Sequence, residues 1–471
     1  MKFLKISLAA SIALGALSTS SFAQPLEEAI RGVDVSGYLR YRYTDDRYDK
    51  DNPREFGARG QARHQWRVTA DFKTPTVENV ALNLGVWYNN NQNVNHGKGV
   101  PANNNNNNEP PTGALPFAGN GLGAGSDGQF GIRTFYATIT PDSTATTIKI
   151  GKQPLDTPIT YAPDGDRGTG ILVLNNDIPG LTLVAAAFDS WSINETYVRN
   201  STDDFPYTGF IRDNGHSINK QLYSVASVYN TDTSFGNIGG QLWGFYVDDI
   251  VDALVFGELS WKNSLLRAKI QYTFAALDND GNSVFADLRG PGTVNEKKAN
   301  LPRKNDIFVI EAGANFQQDF QIPLDLRLGY ITNFQDGTSV ALENEGSNVS
   351  RAGKIWWNND YTQFTTSALV PYAPGFGQSR DVNVLYTAAR YGLIDDRLNL
   401  GLDFVWGRNN IKHTVNGDQK IKFMEITPSV SWQHSKNLTV SSYYAYLKTK
   451  NKTYSYNQDR SRVRVEAKYS F

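Results

Sequence analysis

The chain has 471 residues and a formal net charge of −1 at neutral pH, a balance that gives no reason to expect nucleic-acid binding. It contains no cysteine, so disulfide bonds, thiolate metal sites and thiol catalysis are excluded. It carries 24 tyrosines, 24 phenylalanines and 9 tryptophans, a composition typical of membrane barrels, in which aromatic belts mark the bilayer interfaces.

The N terminus has the features of an export signal. Lysines precede an apolar run over residues 6–17, and a small-x-small cleavage motif ends at Ala23. The run is too short to cross a bilayer comfortably. The sequence therefore predicts a cleaved signal peptide over residues 1–23 and one barrel domain over residues 24–471.

The segments that follow alternate in polarity. In the first, Leu39 and Tyr41 share one face, whereas Arg40 and Arg42 share the other. A period of two indicates a β-strand, and about ten residues suffice for a tilted strand to cross a bilayer. About eighteen such strands are predicted, at residues 33–43, 63–72, 80–88, 130–140, 146–152, 169–175, 181–190, 221–230, 237–247, 251–261, 264–275, 306–317, 323–333, 380–392, 397–408, 421–434, 437–448 and 463–471.

The links between these strands alternate between long and short. Residues 45–60 and 191–220 form long links, whereas residues 74–79 and 231–236 form short ones. Membrane barrels have long extracellular loops and short periplasmic turns, whereas a sandwich or propeller has no reason for this asymmetry. The predicted fold is an all-β, transmembrane antiparallel β-barrel of about eighteen strands with both mature ends at the periplasmic side.

The last strand should close the barrel. Val465 and Tyr469 fall on its apolar face, and Arg464 and Lys468 on its polar face. Such a strand at the edge of a soluble sheet would invite aggregation, whereas in a barrel it has partners on both sides. The prediction requires residues 33–43 and 463–471 to be hydrogen-bonded neighbours.

One link on the extracellular side predicts an inward constriction loop. Residues 153–168 contain three prolines, which stiffen the backbone, and three carboxylates, Asp156, Asp164 and Asp166. A barrel this wide is not filled by side chains alone, so a loop folded inward would narrow the pore and its carboxylates would favour cations. Exchanging Asp164 and Asp166 for lysine is therefore expected to lower cation preference.

Arginines on the polar faces of the first two strands and the last strand would face this loop. They are Arg40, Arg42, Arg63, Arg67, Arg462 and Arg464. With carboxylates on one wall and guanidiniums on the other, a transverse field would cross the constriction. The alternative is that these arginines simply solvate a wet lumen.

Two further hypotheses concern metal binding and catalysis. Asp164 and Asp166 flank a glycine and could hold a hard cation such as calcium, although two carboxylates around a glycine are also a common turn. The five histidines form no metal-binding spacing, and no nucleophile elbow is present, so we expect no enzyme activity and no required cofactor.

Several stretches resemble the Campylobacter-type major outer membrane porins: Pro25-Leu-Glu-Glu-Ala-Ile30, Val33-Asp-Val-Ser-Gly-Tyr-Leu-Arg-Tyr-Arg-Tyr43, Gly151-Lys-Gln153, Gly168-Thr-Gly-Ile171, Asn175-Asn176, Gly180-Leu-Thr-Leu183 and the terminal strand ending on Phe471. The resemblance implies an eighteen-stranded barrel, a homotrimer and diffusion of small, preferentially cationic solutes. It also implies a constriction loop at residues 153–168, with calcium near it.

The function that the sequence favours is a passive, cation-preferring pore in the outer membrane of a Gram-negative bacterium. Ions and small hydrophilic solutes would diffuse through it. The main alternative is a structural or adhesive outer-membrane protein that acts through its surface loops. A barrel hydrolase and a secreted soluble β-protein are weaker alternatives, because no motif predicts either.

Overall fold

A computed structural model describes most of the chain after its N-terminal segment. The described residues are 32–48, 61–95, 129–163, 165–193, 218, 220–278, 302–342, 348–359, 361–368, 379–412, 418–452 and 459–471. The predicted signal peptide, residues 1–23, lies outside these ranges, so its cleavage and the domain division stay predictions.

Eighteen strands form one antiparallel sheet. They are β1 (Asp34–Tyr48), β2 (Gln61–Lys73), β3 (Val80–Asn95), β4 (Gln129–Ile139), β5 (Thr146–Pro154), β6 (Arg167–Asn175), β7 (Leu181–Ser192), β8 (Leu222–Thr233), β9 (Gly236–Val247), β10 (Val251–Lys262), β11 (Leu266–Leu277), β12 (Lys304–Asn315), β13 (Leu324–Thr332), β14 (Arg380–Leu393), β15 (Leu398–Ile411), β16 (Gln419–Gln433), β17 (Leu438–Asn451) and β18 (Arg460–Ser470). A single helical turn, α1 (Gln317–Phe320), joins β12 to β13.

The sheet closes because β18 pairs with β1 as well as with β17. Leu39 lies opposite Tyr469, and Arg42 lies opposite Glu466. Where the seam ends, the backbones of Gly37 and Phe471 exchange two hydrogen bonds of 3.0 and 3.1 Å. The predicted closure of the first strand on the last is therefore confirmed, and with it the eighteen-stranded barrel.

The two faces of the strands differ as the alternation predicts. Large apolar side chains such as Leu39 (47% exposed), Trp406 (49%) and Leu259 (68%) point outward, where a bilayer would cover them. Polar side chains such as Thr44 and Thr69 point inward and are buried. Within the described ranges, no helix is long and apolar enough to cross a membrane.

Several strands are longer than the polarity pattern predicts. β1 continues to Tyr48, and β18 begins at Arg460, beyond the apolar stripe. The register stays intact in this extension, where Asp46, opposite Arg462, accepts hydrogen bonds from that guanidinium. The apolar stripe marks the part of a strand that faces lipid, whereas ion pairs carry the sheet on toward the extracellular side.

The alternation of link lengths follows from the strand bounds. Links at one end include residues 96–128 and 333–379, and turns at the other end include residues 234–235 and 394–397. The link over residues 248–250, between β9 and β10, departs from the pattern, since it is short but lies at the end of the long loops.

A periplasmic turn shows how these short connections are fixed. In the turn between β6 and β7, the Asp177 carboxylate accepts hydrogen bonds of 2.6 Å from the Thr144 hydroxyl and from the Ala145 backbone N–H. These bonds, with one from the Asn175 amide, hold the pKa of Asp177 below its usual range. The turn is therefore tied to the neighbouring β4–β5 turn.

Candidate pore constriction

The six predicted arginines lie on three neighbouring strands, and we call this part of the barrel the arginine wall. The register of β18, β1 and β2 places all six at inward-facing positions: Arg40, Arg42, Arg63, Arg67, Arg462 and Arg464. The side chain of Arg63 lies outside the described residues, although its strand position does not. The strands bring these residues together, but their part in conduction stays a prediction.

Carboxylates lie within the arginine wall itself. The Arg42 Nε donates to Glu466 Oε2 at 2.7 Å. Asp46 is buried and accepts from Arg460 at 2.8 Å and from Arg462 at 2.7 Å. The simple division that the sequence predicts, with acids on a loop and bases on the opposite wall, is therefore incomplete, because acids also hold the arginines in place.

The predicted constriction loop connects β5 to β6, and we call residues 155–166 the β5–β6 loop. Its apolar side chains Leu155 and Ile159 are buried, at 2% and 1% exposure, in the same apolar cluster as Val340 and Leu342. The Ile159 carbonyl accepts a 3.1 Å hydrogen bond from the Leu342 backbone N–H. The β5–β6 loop thus packs against the long link between β13 and β14.

The three carboxylates of the β5–β6 loop have different surroundings. Asp156 is exposed. Asp166 is 1% exposed, and its Oδ2 accepts from the Tyr161 backbone N–H at 2.7 Å. Asp164 lies outside the described residues. Asp166 therefore holds the loop together, and Asp156 is the exposed one of the two described carboxylates.

A segment that the sequence does not predict to be inserted enters the lumen. It belongs to the link between β13 and β14, and we call residues 348–359 and 361–368 the lumen segment. Its backbone bonds to inward-facing side chains of β11, β15 and β16, which places it inside the barrel. Its apolar residues Ile355, Trp356 and Phe364 are buried.

One buried carboxylate anchors the lumen segment. Glu425 on β16 accepts from three successive backbone N–H groups, those of Lys354, Ile355 (3.0 Å) and Trp356 (2.7 Å). The Thr427 hydroxyl adds a fourth donor at 2.7 Å. A buried charge is tolerated only when it is hydrogen-bonded, and here the donors come from the segment that covers it.

A neighbouring carboxylate and one glycine shape the same turn. Asp403 on β15 accepts from the Gly353 backbone N–H at 3.1 Å and pairs with Arg390 at 2.6 Å. Gly353 has a φ of +84°, and a Cβ there would lie 2.7 Å from the Trp356 ring and 3.0 Å from Glu425 Oε1. Only glycine gives the backbone this close approach without strain.

Amide side chains fix the two ends of the lumen segment. Gln271 on β11 donates to the Asn348 carbonyl at 2.8 Å and accepts from the Ser350 N–H at 2.7 Å. Asn409 on β15 donates to the carbonyls of Thr362 and Gln363, each at 3.0 Å. The segment is therefore held by polar groups on several strands of one side of the barrel.

Aromatic packing completes the attachment. The Trp356 ring stacks on Phe423 with centroids 5.5 Å apart and an interplanar angle of 17°. It also contacts Phe364 and Trp357 at 5.3 and 5.2 Å. This cluster buries a large apolar area inside the barrel. The same side chains would be exposed to water if the lumen segment did not cover them.

A sequence signal for this packing exists on β14. Val382, Val384, Tyr386 and Ala388 point inward and are buried, whereas Leu385 points outward. A strand that is apolar on both faces is covered on both faces. That pattern, together with the tryptophan pair at 356 and 357 inside a long link, indicates an inserted segment.

The lumen segment leaves a cavity between itself and the barrel wall. A cavity of about 500 Å³ lies between the lumen segment and strands β13 and β18. Arg462 and Arg464 of the arginine wall line one side, and Arg351 and Lys354 of the lumen segment line the other. The arginine wall therefore faces the lumen segment.

Comparison with known proteins identifies relatives. A family model described as Campylobacter major outer membrane protein matches residues 1–469. No curated protein matches the chain. Similar solved structures include Acinetobacter baumannii OccAB3, with 15% identity, a TM-score of 0.60 and coverage of 94% of this chain and 99% of that one.

Two other similar structures come from Pseudomonas. The outer membrane protein opdK from Pseudomonas aeruginosa has 14% identity, a TM-score of 0.56 and coverage of 93% of this chain and 98% of its own. A BenF-like porin from Pseudomonas fluorescens Pf-5 has 16% identity, a TM-score of 0.57 and coverage of 93% and 99%. At these identities the structures show a shared fold.

If Glu425 anchors the lumen segment, the substitution Glu425→Gln should loosen that segment. Glutamine replaces one acceptor oxygen with an amide NH2 group, which cannot accept from the backbone N–H groups that face it. The free energy that holds the lumen segment in place should therefore fall by about 1.5–3 kcal/mol. The barrel should remain folded because its strand pairing is unchanged. We expect larger and noisier single-channel currents and faster proteolysis within the lumen segment.

Glu78→Gln, in the exposed turn before β3, serves as the control and should leave both readouts unchanged. If currents and cleavage in Glu425→Gln match those of the wild type, this carboxylate does not anchor the segment.

Proposed function

The chain belongs to the Campylobacter major outer membrane protein family, and we propose that it forms a water-filled channel for passive diffusion of ions and small hydrophilic solutes. Its place is the outer membrane of a Gram-negative bacterium. The observation that carries the proposal is the closed barrel with an apolar outer face and a charged inner wall, against which the lumen segment folds.

The architecture explains how such a channel conducts without a chemical step. The inward face supplies fixed charges and hydrogen-bonding groups that replace part of an ion's hydration shell. The lumen segment and β5–β6 loop restrict the cross-section, so large solutes are excluded. The family and fold are consistent with a channel that has no catalytic step.

We propose that the channel prefers cations and that the carboxylate of Asp156 in the β5–β6 loop produces this preference. This carboxylate is exposed, so its charge is available to ions in water. Asp166 is a poor probe of selectivity, because replacing it removes the bond to the Tyr161 N–H and disturbs the loop. Asp164 lies outside the described residues, so its contribution stays a prediction.

Replacing Asp156 with asparagine should therefore lower cation preference while leaving the loop folded. The measurement is the reversal potential of reconstituted protein in a potassium chloride gradient. Asp395→Asn, in the exposed turn between β14 and β15, is the matched control and should behave like the wild type. An identical reversal potential in all three proteins would remove Asp156 from the selectivity-determining part of the pore.

Calcium binding at Asp164 and Asp166 is retained as a proposal from the resemblance. Among the described residues, no group of three or more histidine or acidic side chains is arranged to hold a metal. Further ligands would have to be backbone carbonyls, water or residues outside the described ranges. Calorimetric titration of calcium, with magnesium as control, should give binding that Asp164→Asn weakens; the absence of calcium heat in the wild type would reject the site.

A homotrimer is also proposed from the resemblance. Light scattering in detergent should give a protein mass of three chains. A single-chain mass that persists across mild detergents would contradict this assembly.

A further inference from the structure

The described lining of the cavity between the lumen segment and the arginine wall carries charge of one sign. Its lining includes six cationic side chains, Arg327, Arg351, Lys354, Arg460, Arg462 and Arg464. Among the described residues that line it, none is acidic. The volume of about 500 Å³ falls within the range of about 300–1,000 Å³ typical of small-molecule sites.

Nearby carboxylates orient these cations without lining the cavity. Asp46 accepts from both Arg460 and Arg462, so one carboxylate serves two guanidiniums. Glu311 lies 3.4 Å from Arg327 and is itself buried. These carboxylates therefore pair with the cations of the lining without lining the cavity themselves.

Aromatic rings hold the cations of the lumen segment. The Arg351 guanidinium carbon lies 4.4 Å from the centre of the Trp357 ring, and the Lys354 Nζ lies 6.0 Å from that of Tyr443. Arg464 approaches the same Tyr443 ring at 5.6 Å from the other side of the cavity. A ring positions a cation but leaves its charge in place, so these groups still attract anions.

We propose that this cavity is a binding site for small anions that carry carboxylate or phosphate groups, and that such anions dwell there as they pass. The proposal rests on the channel function proposed above. Arginine forks match the two oxygens of a carboxylate or phosphate, and hydrogen bonds between such charged groups are stronger than those between neutral groups. Because the site opens to the pore, binding is brief and the anion leaves again.

This site is separate from the selectivity proposed at Asp156. Asp156 belongs to the β5–β6 loop, whereas the cavity is lined by β13, β18 and the lumen segment. A reversal potential reports the relative passage of cations and anions through the whole path. Occupancy of the cavity is a local property, and it is measured by how long one anion interrupts the current.

The test uses single channels of the full-length protein in a planar bilayer in symmetric potassium chloride. Succinate is added as the dicarboxylate probe, inorganic phosphate in a parallel experiment, and neutral succinamide as a size control. We expect voltage-dependent interruptions of the current with succinate or phosphate and none with succinamide.

The double variant Arg351→Gln with Lys354→Gln should raise the succinate concentration needed for half occupancy by about tenfold or more, since it removes two charge-assisted contacts. Lys436→Gln, in the exposed turn between β16 and β17, is the matched control and should leave the interruptions unchanged. Lys354→Gln alone, whose side chain is exposed, gives the same comparison if the double variant does not insert.

The outcomes separate this site from the channel function. Wild-type channels that conduct but show no interruption by either anion would overturn the site and leave the channel standing. Interruptions in the double variant Arg351→Gln with Lys354→Gln that are as strong as those in the Lys436→Gln control would also overturn the site. Wild-type protein that never conducts would overturn both. Interruption by only one anion would support the site and identify the group that it prefers.

Discussion

A bilayer leaves no water for unpaired backbone groups, and the whole molecule depends on how its first and last strands satisfy that constraint. An unsatisfied N–H or C=O in hydrocarbon costs several kcal/mol, so an eighteen-stranded sheet with open edges would not be stable there. The pairing of β1 with β18 removes both edges. Closure also defines an inside, and the arginine wall and the lumen segment can exist only because that inside is separated from lipid.

The inside is itself divided. Along β18, β1 and β2 the wall is polar and carries arginines held by Asp46 and Glu466. Along β11 to β16 it is largely covered by the lumen segment. A segment folded into the lumen brings its own backbone N–H groups, which must be satisfied where water is scarce. Glu425, Asp403 and Gln271 do this from the strands, so the buried acids of this wall are structural partners of the loop.

Much of the fold could be predicted from the sequence because a period of two and the spacing of links are local properties. The inward and outward faces of the strands followed from alternation. The six arginines lie on one wall because their strands are neighbours after closure. The lumen segment could not be found this way, since Glu425 and the backbone that it binds lie far apart in the chain. The bond from the Tyr161 N–H to Asp166 could not be predicted for a different reason, because the sequence of a loop does not show whether a carboxylate faces the pore or its own backbone.

The most direct test of this account asks whether the lumen segment lines the conducting path. The chain has no native cysteine, so Lys354→Cys provides a single reactive thiol. A membrane-impermeant sulfonated thiol reagent, added during single-channel recording, should lower or alter the current in one step per channel. A Lys436→Cys channel should show no step. If the thiol at position 354 reacts fully, as shown by mass, while the current stays unchanged, the lumen segment does not line the pore and the account is contradicted.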